Sequence, residues 1–141
     1  MSNRPDYSDF GEVGQFHTKF GLPVSQGTPR TVDPEVLEFR IKFLREELDE
    51  FEAGAKEGDH AQMFDALLDL VYVALGTAHY FGYPWHEGWR LVQCANMSKV
   101  RARADGSDSK RGSSFDVVKP PGWTPPNIEK LLRTNGWDTN E

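Results

Sequence analysis

Cysteine and long apolar runs are both scarce in this sequence, and each scarcity excludes a class of protein. Cys94 is the only cysteine among 141 residues, so no intrachain disulfide can form. That composition suits a reducing cytoplasm. The apolar run 66–78 is shorter than a membrane span and carries Asp69. The first six residues show no apolar signal region. We therefore expect a cytoplasmic protein with no membrane partner.

Positive charge is also in short supply. The chain has 16 Lys and Arg against 22 Asp and Glu, a net charge of −6, and its isoelectric point is near 5.2. This balance argues against a general nucleic-acid partner, because phosphate backbones attract basic surfaces. A small anionic substrate stays compatible with the charge if a metal ion offsets it locally.

Several catalytic motifs are missing. There is no P-loop pattern Gly-x-x-x-x-Gly-Lys-[Ser/Thr], and the two Glu-x-x-His pairs that di-iron bundles require are missing, since only Glu57 is followed by His three residues later. Zinc sites use clustered His or Cys. The histidines are scattered and are better explained as structural or exposed: His17, His60, His79 and His86.

Helix signals dominate what is present. Caps, glycines and apolar periodicity predict four main helices, over 8–20, 33–58, 59–82 and 84–100, and a short terminal helix over 127–132. Short connections favour antiparallel neighbours. We predict an all-α antiparallel bundle with an extended Pro-rich tail. The chain would be one domain, 1–141, with its core at 8–100 and a mobile loop and tail at 101–141.

The second predicted helix carries apolar residues with a period near 3.6, which predicts one buried stripe: Leu37, Ile41, Leu44, Leu48 and Phe51. Beside that stripe Glu46, Glu47 and Glu50 fan over about 100°, whereas Asp49 points elsewhere. Asp65 and Asp69 lie four residues apart, so they share one face of the next helix.

These acids have two interpretations. Charge runs on helices are commonly solvated surface, and for Glu46 and Asp49 that explanation is at least as good as a functional one. Asp69 lies inside an apolar run, where an unpaired carboxylate is costly. Oxygen ligands of this type suit Mg²⁺ together with substrate phosphates.

The ordered motifs resemble the all-α nucleoside triphosphate pyrophosphohydrolases of the MazG type, and within them the phage MazZ branch. The acidic pattern is Glu46-Glu47-x-x-Glu50, followed by a helix whose last acidic residue is Asp69. The supporting segments are Phe16-His17-x-Lys19-Phe20-Gly21, Asn96-Met97-Ser98-Lys99 and Lys119-Pro120-Pro121-Gly122-Trp123. One position departs from the family pattern, since Ala66 stands where a Glu is usual and Asp65 precedes it.

The resemblance implies a site. Glu47, Glu50 and Asp69, with Asp65 replacing the missing Glu, would hold Mg²⁺ or Mn²⁺, two or more ions per site. Glu46 and Glu47 would be the catalytic residues, with Glu46 orienting or deprotonating a water. Asn96 and Lys99 would contact phosphate, and the base would stack on aromatic residues: Phe16, Phe20, Tyr72 or Trp123.

The reaction implied is (d)NTP plus water to (d)NMP plus pyrophosphate. Resemblance to the MazZ branch favours dGTP or GTP, in the supply of 2-aminoadenine for a phage genome, with the host cytoplasm as the location. Two alternatives stay open: a phosphoribosyl-ATP pyrophosphohydrolase, and a non-catalytic helical interaction protein. A helix pair this short buries limited surface, so we also expect a homodimer or homotetramer.

Overall fold

The computed structural model describes residues 6–138, which contain five helices and one two-stranded sheet. The elements are α1 Asp9–Lys19, α2 Pro34–Glu57, α3 His60–Phe81, α4 Trp85–Met97, β1 Val100–Arg101, β2 Val117–Val118 and α5 Ile128–Thr134. The predicted all-α class is confirmed. The predicted tail helix is present and lies one to two residues further along.

The first three helices begin and end where the sequence predicts. Ser8 Oγ accepts a hydrogen bond from the Gly11 amide at 3.0 Å, and Asp33 and Asp59 cap α2 and α3 in the same way. A side-chain oxygen there satisfies an amide that the helix leaves unpaired. Helices α2 and α3 end at Gly58 and Gly82, whose φ angles of 66° and 68° are left-handed and favour glycine.

Helix α4 is shorter than the predicted range 84–100. It ends at Met97, because Val100 and Arg101 form an antiparallel pair with Val118 and Val117. This pairing joins positions far apart in sequence, and no alternating pattern announces such short strands. The helix prediction was therefore wrong for the last three residues.

The described chain divides into two compact units. Residues 6–85 and 135–138 form the first, and residues 86–134 form the second. In the first unit, α2 and α1 both pack against α3. Its buried apolar cluster is small and comprises Phe10, Val13, Leu75 and Ala78, with Trp85 packed against it.

Four buried polar side chains complete the interior of the first unit: His17, Arg40, Glu47 and His79. Arg40 Nη2 donates to the Val73 carbonyl at 2.8 Å, and its Nε donates to Thr77 Oγ1 at 3.0 Å. The guanidinium thus ties α2 to α3. Gly76 makes room for it, since a Cβ there would lie 2.7 Å from Arg40 Nη2.

Much of the predicted buried stripe is exposed. Leu37, Ile41 and Leu48 on α2 are 37%, 40% and 53% exposed, so the prediction of a fully buried stripe was wrong for one copy of the chain. Helix α3 shows the same property along its outer face: Phe64, Leu67, Leu68, Val71 and Tyr72. Periodicity identifies an apolar face, but it does not identify what covers that face.

Helix α3 is also long and apolar enough to cross a membrane by length and composition, because it extends beyond the run 66–78. The core helix of a soluble protein meets the same criterion. Asp65 and Asp69 lie within α3, and the helix packs on α1 and α2.

Candidate metal centre

Helices α2 and α3 bring the two acidic clusters together. The two-residue turn at Gly58 and Asp59 reverses the chain, so the end of α2 packs against the start of α3. Gln62 Nε2 donates to the Glu50 carbonyl at 3.1 Å. Gly54 allows close contact there, since a Cβ at this position would lie 3.2 Å from the Met63 amide.

Glu47 is the central residue of this carboxylate cluster, which we define as Glu47, Glu50, Asp65 and Asp69. Its side chain is only 8% exposed, and its buried Oε2 has no hydrogen-bond partner. Burial raises the pKa of Glu47 above its usual value, and the negative charges of Glu50, Asp69 and Asp65 raise it further. Pairing with the Glu50 side chain also favours the protonated form.

An unpaired buried oxygen beside three more carboxylates is unfavourable for the protein alone. The donor set nevertheless suits a hard divalent cation, which takes carboxylate oxygens. Among residues 6–138, no group of three or more His, Cys, Asp or Glu side chains is placed so that it could hold a metal ion as it stands. The other three side chains of the cluster are close enough for their charges to act on Glu47, and carboxylate oxygens of this kind suit Mg²⁺ or Mn²⁺.

The structure separates Glu47 from its neighbours on α2. Glu46 and Asp49 are both exposed, and no hydrogen bond or ion pair is described for either. Arg40, which lies two turns before Glu47, is directed to the α3 backbone instead of to the acids. The carboxylate cluster therefore has no basic partner among the described contacts.

The two phenylalanines predicted to stack on a base lie on α1 in the first unit. Phe16 and Phe20 have ring centroids 4.8 Å apart and are 42% and 57% exposed. Tyr72 on α3 meets the Phe16 ring edge-on at 5.4 Å. The three rings form one exposed aromatic patch with flat faces available for stacking.

The two predicted phosphate contacts lie in the second unit. Asn96 is exposed near the end of α4, and the Lys99 ammonium lies 5.4 Å from the centre of the Trp123 ring. The sequence analysis assigned no role to Lys119, whose ammonium lies 5.0 Å from the same ring. Its place in the segment Lys-Pro-Pro-Gly-Trp, four residues before Trp123, is the signal that could have suggested this pairing.

Comparison with known proteins gives a family match. The family model described as phosphoribosyl-ATP pyrophosphohydrolase matches residues 13–96. That range includes the whole carboxylate cluster and Asn96, and it stops before Lys99 and Trp123.

One similar curated protein is the uncharacterized protein L479 of Acanthamoeba polyphaga mimivirus. It is 25% identical over 85 residues, which cover 58% of this chain and 34% of the viral protein. The matched segment therefore spans about a third of the relative's length.

Proposed function

We propose a reaction for this chain from the premise that it belongs to the phosphoribosyl-ATP pyrophosphohydrolase family, whose model covers more than half of its length. The membership confirms the predicted MazG-like all-α superfamily and supports a nucleotide pyrophosphohydrolase activity. The specific reaction that we propose is metal-dependent hydrolysis of a (d)NTP to a (d)NMP and pyrophosphate in the cytoplasm. The MazZ branch, and with it dGTP or GTP as the substrate, stays a prediction.

Glu47 is the single observation that carries this proposal. A protein gains no stability from a buried carboxylate oxygen with no partner beside three like charges. Either protonation of Glu47 or a bound cation offsets this cost, and a triphosphate substrate also needs cations against its own charge. The ligands that we propose for Mg²⁺ or Mn²⁺ are Glu47, Glu50 and Asp69, with Asp65 as the replacement for the missing Glu.

Other residues of the chain would carry out the remaining steps of the reaction. Glu46 is exposed beside the carboxylate cluster, where it would orient a water and accept its proton. The water oxygen bonds to the α-phosphorus, and the bond from that phosphorus to the α,β-bridging oxygen breaks, which releases pyrophosphate. A bound divalent cation supplies charge neutralisation at the phosphoryl oxygens and lowers the pKa of water. Phosphoryl transfer of this kind depends on positioning and positive charge.

Two further pairs of residues are proposed as substrate contacts, each described within its own unit. Lys99 provides a point charge suited to phosphate, and Asn96, three residues earlier, provides amide donors. Phe16 and Phe20 provide the faces on which a base would stack.

A second candidate reaction uses phosphoribosyl-ATP, which the family description itself names. The chemistry at the carboxylate cluster would be the same, and only the group attached to the α-phosphate would differ. The non-catalytic alternative, a helical interaction protein, would leave the acids as a solvated surface.

A substrate panel tests these candidates together. The purified chain is incubated with each (d)NTP and with phosphoribosyl-ATP, in Mg²⁺ or Mn²⁺, and monophosphate and pyrophosphate are quantified. We expect Glu47→Gln to lower the rate by about 10²-fold or more, because a lost ligand removes transition-state charge stabilisation. Asp49→Asn is the control, since it removes an equal charge from an exposed position two residues away. Equal rates for the wild type and Glu47→Gln would contradict the proposal.

We also propose that a second copy of the chain covers the exposed apolar face of α2 and α3, as a homodimer or homotetramer. The apolar side chains on that face are larger and more numerous than those in the buried cluster of the first unit. Contiguous apolar patches of this type mark interfaces. We expect light scattering to show an oligomer, and Leu68→Glu to yield monomers with unchanged helical circular dichroism. A monomeric wild type, or one that partitions onto lipid vesicles instead, would contradict this assembly.

A further inference from the structure

The two compact units carry opposite charge. Residues 86–134 hold nine Lys and Arg against five Asp and Glu, a formal charge of +4 in a chain whose total is −6. The first unit, which contains the carboxylate cluster, is therefore strongly acidic. A separate basic unit indicates a function in which an anion is bound.

Part of this positive charge surrounds a cavity of about 350 Å³ in the second unit. We call it the basic cavity. Four of its lining side chains are cationic: Lys99, Lys110, Arg111 and Lys119. This volume is many times what a single water molecule needs, so the cavity has room for an anion larger than orthophosphate.

Two carboxylates also line the basic cavity, but the loop itself uses them. Asp116 accepts from Ser109 Oγ at 2.7 Å and from the Val117 amide at 2.9 Å, and Arg111 lies 3.5 Å from its Oδ1. These bonds lower the pKa of Asp116. Asp108 accepts from the Arg103 amide at 2.8 Å. The lining keeps a positive excess with both acids ionised.

The same bonds fix the loop that carries the cations. Ser109 Oγ accepts from the amides of Arg111 and Ser113, at 3.1 and 3.2 Å, while its own proton goes to Asp116. Lys110 and Arg111 therefore extend from a hydrogen-bonded turn. An ordered backbone lowers the entropy that binding must offset.

Trp123 positions the other two cations. Its indole Nε1 donates to the Ala95 carbonyl at 2.8 Å, which fixes the ring against α4. Lys99 and Lys119 both lie against that ring, and neither has a described carboxylate within ion-pair distance. Aromatic contact holds an ammonium without neutralising it, so both charges stay available to a ligand.

We propose that the basic cavity binds a polyphosphate anion, through Lys99, Lys110, Arg111 and Lys119. The triphosphate tail of a nucleotide and free pyrophosphate share this chemistry. A single phosphate would satisfy fewer of the four cations. Binding of the anion needs no hydrolysis. The proposal rests on the proposed function only where it names the source of that anion.

Calorimetric titration with inorganic pyrophosphate tests the binding. The full chain is kept in EDTA, because the metal-free carboxylate cluster repels anions and does not contribute. We expect Lys110→Gln combined with Arg111→Gln to weaken pyrophosphate binding by at least about tenfold, since two charge-assisted contacts are lost. Both residues are exposed, but Arg111→Gln also removes the ion pair with Asp116, so the thermal unfolding of the double variant is compared with that of the wild type. Arg90→Gln combined with Lys130→Gln is the matched control, with equal charge loss in the same unit outside the cavity.

The outcomes are distinct. A wild type that does not bind pyrophosphate, or a double variant that binds like the wild type, overturns the proposal. An equal loss in the control pair also overturns it, because general charge would then explain the binding.

Steady-state kinetics with the nucleotide that the chain hydrolyses then identify the source of the anion. A raised KM with unchanged kcat in the cavity variant assigns the site to the substrate's triphosphate tail. Unchanged kinetics with lost pyrophosphate binding assigns it to free pyrophosphate. If no nucleotide is hydrolysed, the proposed function fails and the calorimetric result still decides the binding.

Discussion

Replacing Glu47 by glutamine should make the metal-free protein more stable. Burial and three neighbouring carboxylates raise the pKa of Glu47, so the folded state binds its proton more tightly than the unfolded state does. As the pH rises from 4.5 through the folded pKa, this group therefore lowers the free energy of unfolding. At neutral pH its charge is a net cost, and the neutral amide of glutamine removes it.

The magnitude follows from the atom left without a partner. A buried unsatisfied polar atom costs about 1–3 kcal/mol, and more when it is charged. The glutamine amide can donate to Glu50, but its own oxygen stays buried, so we expect a gain of about 1–2 kcal/mol. For a chain of this length that gain raises the melting temperature by about 3–8 °C.

The assay is thermal unfolding by circular dichroism in EDTA and in excess Mg²⁺. We expect the wild type to gain about 2.7 kcal/mol at a metal concentration 100 times the dissociation constant, and Glu47→Gln to gain much less. Asp49→Asn removes an exposed charge from the same helix. It should change neither the stability in EDTA nor the stability gained from Mg²⁺ by more than about 0.5 kcal/mol. A Glu47→Gln protein that is less stable in EDTA, or that gains as much from Mg²⁺ as the wild type, would refute this reasoning.

Two further predictions concern the packing at a helix glycine and the pKa values of the buried histidines. Gly76→Ala should destabilise the protein by about 1–3 kcal/mol, because the new methyl group meets the buried Arg40 guanidinium; Gly88→Ala meets only one methyl group at 3.8 Å and should be neutral or stabilising by up to about 1 kcal/mol. Urea unfolding of both variants checks this contrast, and equal effects would contradict it. Burial lowers the pKa of His17 and His79, so the unfolded state binds more protons below pH 6.5 and stability falls as the solution is acidified. In the Glu47→Gln background, which removes the opposing effect of that carboxyl, we expect a slope of up to about 1.4 kcal/mol per pH unit for each histidine. A melting temperature independent of pH between 5 and 7.5 would count against it.

Local signals in the sequence predicted most of the fold. Ser8, Asp33 and Asp59 cap their helices because a short polar side chain satisfies the first free amides, whatever the rest of the chain does. Gly58 and Gly82 end theirs because only glycine adopts the left-handed conformation without strain. These rules operate within a few residues, so one sequence is enough to apply them.

Features that depend on distant residues were not predictable in the same way. Helix α4 stops early because Val100 pairs with Val118, which periodicity cannot detect. The Arg40 guanidinium reaches the backbone carbonyl of Val73 on α3, a contact that helical spacing cannot reveal. Leu48 and Leu68 have the spacing of core residues, but both are more than half exposed in the single chain.

The carboxylate cluster was also predictable only in part. Helical spacing predicted that Glu47 and Glu50 would share a face and that Asp65 and Asp69 would share another, and the hairpin of α2 and α3 brings the two faces together. Spacing could not show that Glu47 alone would be buried. That asymmetry arises from the packing of α2 against α3, which local spacing does not encode. The roles of the four acids as ligands remain predictions.

Hydrolysis in ¹⁸O-labelled water tests the central claim most directly. The chain is incubated with Mg²⁺ and its best nucleotide from the substrate panel, and the products are examined by ³¹P nuclear magnetic resonance. Attack at the α-phosphorus places the label in the monophosphate and leaves pyrophosphate unlabelled, with the reaction abolished in Glu47→Gln. Label in pyrophosphate, release of orthophosphate, or full activity in Glu47→Gln would contradict the proposed carboxylate centre and its mechanism.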